Sequence, residues 1–283
     1  MRDHHKRKAG RAVVGLAVML GLVLAGNSGW ASQAETDEYK LNSVYVRKFG
    51  RDFGEAIVSP AHWHGRDFAR LAAFSGAGLL LFAFDQEIQD NVQENRSSTS
   101  VDLASVFSPF GNGGYLLGFS AVLYAFGEIG RSEGLRKTAL LSVESVAAAT
   151  FFVWTAKWIV GRARPNTGES SHVFRPFSLK SGYWSTPSGH AASAFAVAAT
   201  IAGQSRSAAV DILAYSLAAL AGLSRIHDNK HWASDVFLGS AVGYFAASKI
   251  AALNGPEKPG RLAWSFGFQA ADGRQALTFS LGF

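Results

Sequence analysis

The chain has 283 residues, a formal charge of +6, 48% hydrophobic and 17% charged residues, and no cysteine. Without cysteine there can be no disulfide scaffold, thiolate nucleophile or Cys-ligated metal, so any chemistry must come from His, Ser, Lys, Arg, Asp or Glu. The charged fraction is low for a soluble protein, and the mean hydropathy of +0.09 is low for a chain made mostly of membrane helix, which places it between the two classes.

Much of the basic excess sits at the start. Residues 1–34 carry Arg2, Lys6, Arg7, Lys8 and Arg11 against Asp3, followed by an apolar run from Ala12 to Ala25 and small residues at Ser32 and Ala34. That pattern reads as a secretory signal cleaved before Glu35, or as an uncleaved N-terminal anchor. Positive charge concentrated there argues against a nucleic-acid partner. Residues 35–67, with Tyr39, Tyr45, Phe49 and Phe53, are polar and aromatic without a clean period, and are expected to form a docking segment.

Six apolar stretches follow, roughly Phe68–Phe84, Tyr115–Ile129, Thr138–Val160, Ala191–Gly203, Ala208–Leu223 and Val236–Leu253. They are rich in Ala, Leu and Gly and too long for strands, so the expected fold is an all-α bundle of about six apolar helices over residues 68–255. The stretch from Asp85 to Gly114 is polar and glycine-punctuated and reads as a loop, with Asp85, Glu87 and Asp90 as a solvated helix end. His62 and His64 lack a nearby third ligand and read as part of an aromatic cluster, so no metal is expected. After residue 262 the period changes to two: Trp264, Phe266 and Phe268 alternate, Asp272-Gly273 offers a turn, and Leu277, Phe279, Leu281 and Phe283 alternate again, which predicts a C-terminal β-hairpin over residues 262–283.

Three polar clusters at helix ends carry the chemistry. In KWIVGRARP, Lys157 closes an apolar helix and Arg164-Pro165 follows seven residues later. Ser185-Thr186-Pro187-Ser188-Gly189-His190 precedes the apolar run at Ala191, so Ser188 can cap a helix whose free N–H groups face any anion nearby. Ser224-Arg225 precedes His231 and Asp235, which lie four apart and can share a helix face, the carboxylate orienting the imidazole. The intervening pair of antiparallel helices returns the chain to the side it left, so the clusters should converge at one end of the bundle. Three cations, two histidines and one aspartate then surround a compact polyanion, as phosphoryl transfer requires.

Lys157 with Arg164-Pro165, PSGH at 187–190, and Ser224-Arg225 with His231 and Asp235 resemble the tripartite signature of the type 2 phosphatidic acid phosphatase and vanadium haloperoxidase superfamily, over roughly residues 138–250. The resemblance implies that His231 attacks phosphorus to form a phosphohistidine, that Asp235 orients it, and that His190 protonates the leaving oxygen and then activates water. It further implies that Lys157, Arg164, Ser188, Gly189 and Arg225 bind the phosphoryl oxygens, that no cofactor is needed, and that vanadate inhibits as a phosphate mimic. The expected enzyme hydrolyses a phosphomonoester or diphosphate, from a phosphorylated lipid or a small soluble ester. Alternatives are a vanadate-dependent haloperoxidase, marked by peroxide-dependent bromination, and a non-catalytic envelope interaction protein indifferent to changes at the motif.

Arg131, Arg136, Lys137, Arg206, Lys249 and Lys258 lie at the helix ends opposite the clusters, so the positive-inside rule puts the site outside the cytoplasm of a membrane-associated protein. Six full crossings starting from an external Glu35 would put it inside. Either the first stretch does not span, the N-terminal segment is retained, or the bundle lies on a membrane surface.

Overall fold

The computed structural model describes residue 21 and residues 38–255 in full, and the backbone of 263–271 and 274–282. The expected N-terminal signal and the Asp272-Gly273 turn lie outside the described residues. Nine α-helices occur among the described residues: α1 (Ser43–Val58), α2 (Gly65–Ala83), α3 (Asp85–Glu94), α4 (Ser98–Phe107), α5 (Gly113–Ile129), α6 (Glu133–Val160), α7 (Gly189–Gln204), α8 (Ala208–His227) and α9 (Ala233–Leu253).

Each of the six apolar stretches is a helix, and the additions explain themselves by capping and burial. Asn42 accepts from the N–H groups of Val44 and Tyr45 at the start of α1, and Ser97 does the same for Ser100 at the start of α4. The segment read as aperiodic turns Tyr45, Asp52 and Ala56 inward on one face of α1. The expected loop from Asp85 to Gly114 is instead α3, α4 and a 3-10 turn over Ser108–Gly111, short polar helices whose period the apolar pattern does not display.

The expected fold class, a bundle of about six helices completed by a β-hairpin, is corrected to an all-α bundle of nine described helices with no strand in it. The backbone of Ala263–Ala271 and Arg274–Gly282 runs antiparallel in a two-stranded pairing with itself alone and adds no layer to the fold. Alternation in a sequence predicts backbone conformation, but a two-stranded ribbon is not an independently stable element.

Helix α7 occupies the centre, packed against α6, α8 and α9. Its alanines present little bulk, and α9 meets it at glycines: a Cβ at Gly239 would lie 2.3 Å from Ser188 O, and one at Gly243 would lie 2.1 Å from Ala192 O. This close crossing brings the start of α9 against the start of α7. Among the described residues three helices, α6, α8 and α9, are long and apolar enough to cross a membrane. The α2–α3 pair passes the same test but bends by 54°, so the first apolar stretch is a broken element rather than a straight span.

Candidate active site

Helix α6 ends at Gly161, which takes the left-handed φ of 61° and whose missing Cβ would otherwise sit 1.9 Å from Arg175 O. The next residues run extended, Arg162 bridging to Phe174 and the Arg164 N–H donating to Gly182 O at 2.8 Å. Lys157, one turn before the helix end, is 6% exposed and donates to the carbonyls of Trp184 and Ser185 at 2.5 and 3.2 Å. Arg164 donates to Trp184 O at 3.3 Å, and its Nε has no partner. These cations are held by carbonyl dipoles alone. Among the described residues neither makes an ion pair, and both line the cavity described below.

The Ser188 hydroxyl caps α7 by accepting from Ala191 N–H at 3.5 Å, and Ser188 N–H donates to Asp235 O at 2.8 Å. At the far end of α8 the chain turns through Asn229, with φ of 58°, and Lys230 and His231 N–H donate back to Arg225 O. Asp235 then accepts Trp232 N–H at 2.9 Å, capping α9. The helix starts of α7 and α9 and the end of α6 therefore face one another.

Between them lies a cavity of about 320 Å3 lined in part by Lys157, Arg164, Gly189, His190, His231 and Trp154. The expected convergence of the three clusters is thus present. Burial pushes the His231 imidazole down to about 3, against the pull of the neighbouring Asp235 carboxylate, which raises it. Burial, then the charges of Arg225, Arg164 and Lys157, push His190 down to about 4. Both rings are neutral at neutral pH. His231 Nδ1 lies 3.9 Å from Asp235 Oδ2, a distance that leaves room to tighten into a hydrogen bond when charge develops on the ring.

Three of the eight residues sit behind the cavity wall. Asp235 is fully buried, and accepts from Ser185, Thr186, Trp232 N–H and Arg162. The Ser188 side chain is spent on its cap. Arg225 donates to Ser108 Oγ and to Asp228 Oδ2, the latter at 3.2 Å, and acts on the cavity through its charge at His190.

Other residues emerge only in three dimensions. Arg162, 2% exposed, bridges Asp235 Oδ1 and Asp85 Oδ2 at 2.8 Å each. Asp85, expected at a solvated helix end with Glu87 and Asp90, is fully buried, while Glu87 and Asp90 are exposed as expected. Gly111 and Gly113 line the cavity from a segment far from the motifs, and Ser108 in the same segment holds Arg225. Trp232 is 1% exposed and donates to Ala163 O at 2.8 Å, whereas Trp154, which lines the cavity, and Trp158 stand half-exposed. His64 begins α2 in a reciprocal cap with Asp67. A buried arginine and a kink aspartate carry no periodic signal, which is why only GRARP's second arginine was legible.

The chain is similar to several known proteins. Residues 138–255 match the family model described as the PAP2 superfamily. A lipid A 1-phosphatase from Porphyromonas gingivalis is 34% identical over 175 residues, 59% of this chain; the chain spans about a third of that relative's length, the match covering 34% of it. Among solved structures, a transmembrane PAP2-type phosphatidylglycerolphosphate phosphatase from Bacillus subtilis superposes with a TM-score of 0.51 at 20% identity, covering 65% of this chain and 94% of that one. Aquifex aeolicus LpxE superposes with a TM-score of 0.49 at 21% identity, over 60% of this chain and 95% of that one. Lys157, Arg164, His190, Arg225, His231 and Asp235 all lie within the stretch that matches the PAP2 superfamily model.

Proposed function

We propose that the protein is a lipid phosphatase that transfers the phosphoryl group to His231 and then to water. The observation that carries this reading is the single cavity bringing two neutral imidazoles, two carbonyl-held cations and the N-terminus of α7 together. Lys157 and Arg164 with the α7 N–H groups would hold the phosphoryl oxygens, and Arg225 would add field from behind. His231 has one ring nitrogen toward Asp235 and the other available to phosphorus. Its lone pair forms the P–N bond as the P–O bond to the lipid breaks, and His190 delivers a proton to the departing oxygen. Neutral His190 then takes a proton from water, whose oxygen attacks phosphorus; the P–N bond breaks and phosphate leaves.

The proton on His190 has a physical source. Three cations hold its basicity down in the free protein. A phosphate dianion in the cavity offsets them, so substrate binding itself raises the fraction of protonated His190. No step in this scheme requires a metal.

A lipid substrate is supported by Trp154, which lines the cavity half-exposed and stacks edge-on against Trp184 with centroids 5.1 Å apart, and by further exposed apolar groups after α6: Trp158 packs against Phe177 at 4.8 Å, and Leu179 is 82% exposed. It is also supported by the lipid A 1-phosphatase relative. A membrane-embedded protein with its cavity on the extracytoplasmic side is supported by three helices of spanning length among the described residues and by Arg131, Arg136, Lys137, Arg206 and Lys249 at the opposite helix ends.

The test is phosphate release by the purified chain from phosphatidate, phosphatidylglycerophosphate, undecaprenyl diphosphate and lipid A 1-phosphate, each with and without chelator. Release from at least one lipid, unaffected by chelator and blocked by vanadate, is the expected result. Peroxide-dependent bromination with vanadate and no phosphate release would replace the reading by haloperoxidase chemistry.

A further inference from the structure

A ring of buried polar groups behind Asp235 has no part in the chemistry just described. Arg162 Nη1 donates to Asp235 Oδ1 and Ser234 Oγ, both at 2.8 Å, Nη2 to Asp85 Oδ2 at 2.8 Å, and Nε to Ser171 O at 2.9 Å. Asp85 closes the ring by accepting Ser234 N–H at 2.9 Å and the Ser234 hydroxyl. The guanidinium is also boxed by aromatic faces, 4.6 Å from the Phe82 ring centroid and 5.4 Å from that of Trp232.

The cost of such a ring is informative. Two carboxylates and a guanidinium, each 2% exposed or less, are removed from water in a part of the fold where apolar packing would serve stability as well. The ring is supplied from outside the motif region, by the 54° bend between α2 and α3 that delivers Asp85. Its geometry is specific: a planar fork with fixed donor directions spans two carboxylates at once, as a lysine cannot.

We propose that Asp85 and Arg162 are positioning residues for the reaction, acting through Asp235 to fix the His231 imidazole. Asp235 receives donors on both oxygens, Arg162 and Thr186 on Oδ1 and Ser185 and Trp232 N–H on Oδ2, so its carboxylate plane cannot turn. Arg162 is the charged member of that set, and Asp85 decides where Arg162 sits. Replacing Asp85 by Asn puts an amide NH2 where only acceptors are tolerated, opposite Ser234 N–H or Arg162, and the guanidinium must shift. The Asp235 carboxylate shifts with it, and the ring that must line up with phosphorus loses its reference.

The proposal rests on the reading of His231 as the attacking group. Its test compares the full-length wild type with Asp85→Asn, Arg162→Gln, Arg162→Lys and the milder Ser234→Ala in detergent micelles, using release of phosphate from phosphatidate and from lipid A 1-phosphate together with melting temperature. The expected result for Asp85→Asn is kcat lower by about 10- to 100-fold with KM changed less than about threefold. Arg162→Gln should lose more, and Arg162→Lys should recover part of the loss. In the background of Asp235→Asn, the Asp85→Asn change should cost almost nothing further, because both act on one carboxylate. Full additivity in that cycle, or kcat within about twofold of wild type in both Asp85→Asn and Ser234→Ala, would overturn the proposal. If Asp85→Asn does not fold, Ser234→Ala and Arg162→Lys carry the same comparison. If the wild type itself releases no phosphate from any of the four lipids named under the proposed function, that function fails separately, and the imidazole 15N shifts of His231 decide: altered shifts in Ser234→Ala or Arg162→Lys sustain positioning, and unchanged shifts in both refute it.

Discussion

The two ends of α6 and α9 bury polar groups in opposite ways. At the far end, Asp52 is 1% exposed and every neighbour answers it: Lys48 Nζ at 3.1 Å, Arg51 Nη2 at 3.0 Å and Asn254 Nδ2 at 3.0 Å. Tyr45 donates to the buried Glu144 beside it, and Lys48 and Lys137 lie over the Tyr39 ring at 5.2 and 5.1 Å. At the cavity end, Lys157 and Arg164 are almost as deeply placed but meet only carbonyl oxygens. A closed charge balance ties elements together. An open one, maintained against the cost of desolvation, is a standing preference for an anion.

That contrast can be broken from either side. Replacing His231 by Ala removes the proposed attacking atom, and phosphate release should fall by at least about 10⁴-fold while the melting temperature holds or rises, since a buried imidazole is lost from a partly unsatisfied position. Single Lys157→Met and Arg164→Met changes should each lower kcat/KM by about 10²- to 10³-fold and weaken vanadate inhibition. Because they remove uncompensated buried charge, neither should cost stability, a point that thermal melting checks.

His190→Ala should give a loss that depends on the substrate: large for an alkyl phosphate, whose leaving oxygen needs the proton, and about tenfold or less for nitrophenyl phosphate, whose leaving group does not. Rates on the two substrates measured side by side decide this, and equal losses on both would remove His190 from the role of acid. At the closed end, Asp52→Ala should leave kcat unchanged and lower stability by about 3–5 kcal/mol, because three donors lose their acceptor. A loss of kcat in a folded Asp52→Ala protein would show that the two ends communicate.

The last expected effect is a slope, in the pH dependence of stability. Both histidines have folded values below their ordinary 6.5, near 3 for His231 and near 4 for His190, so the unfolded chain binds more protons between pH 6.5 and 4. Stability should therefore fall as pH drops through that window, by up to about 1.4 kcal/mol per histidine per pH unit. Chemical denaturation at stepped pH should show the slope flattening in His190→Ala.

The lysine, arginines, histidines and aspartate of the candidate site were legible because each stands where an apolar run stops, and a helix end is where a sequence can place charge beside backbone dipoles. The six apolar stretches announced their helices for the same reason of period. What escaped was of another kind. Asp85 has acidic neighbours at 87 and 90 that do face water, so its sequence surroundings describe Glu87 and Asp90 and misdescribe Asp85. Arg162 lies two residues before Arg164, yet one is buried against two carboxylates and the other lines the cavity. The C-terminal alternation gave a backbone pattern and no place in the bundle.

By itself, then, the order of residues determined which side chains could do phosphoryl chemistry and that they would stand at helix ends, because helical period and capping are local. Which of them face the cavity, which stand behind it, and which distant acid joins Asp235 through Arg162 were decided only when α3, α6, α7 and α9 packed. Those choices depend on contacts between residues dozens of positions apart, where desolvation and fixed hydrogen-bond directions, rather than neighbours in the chain, set the outcome.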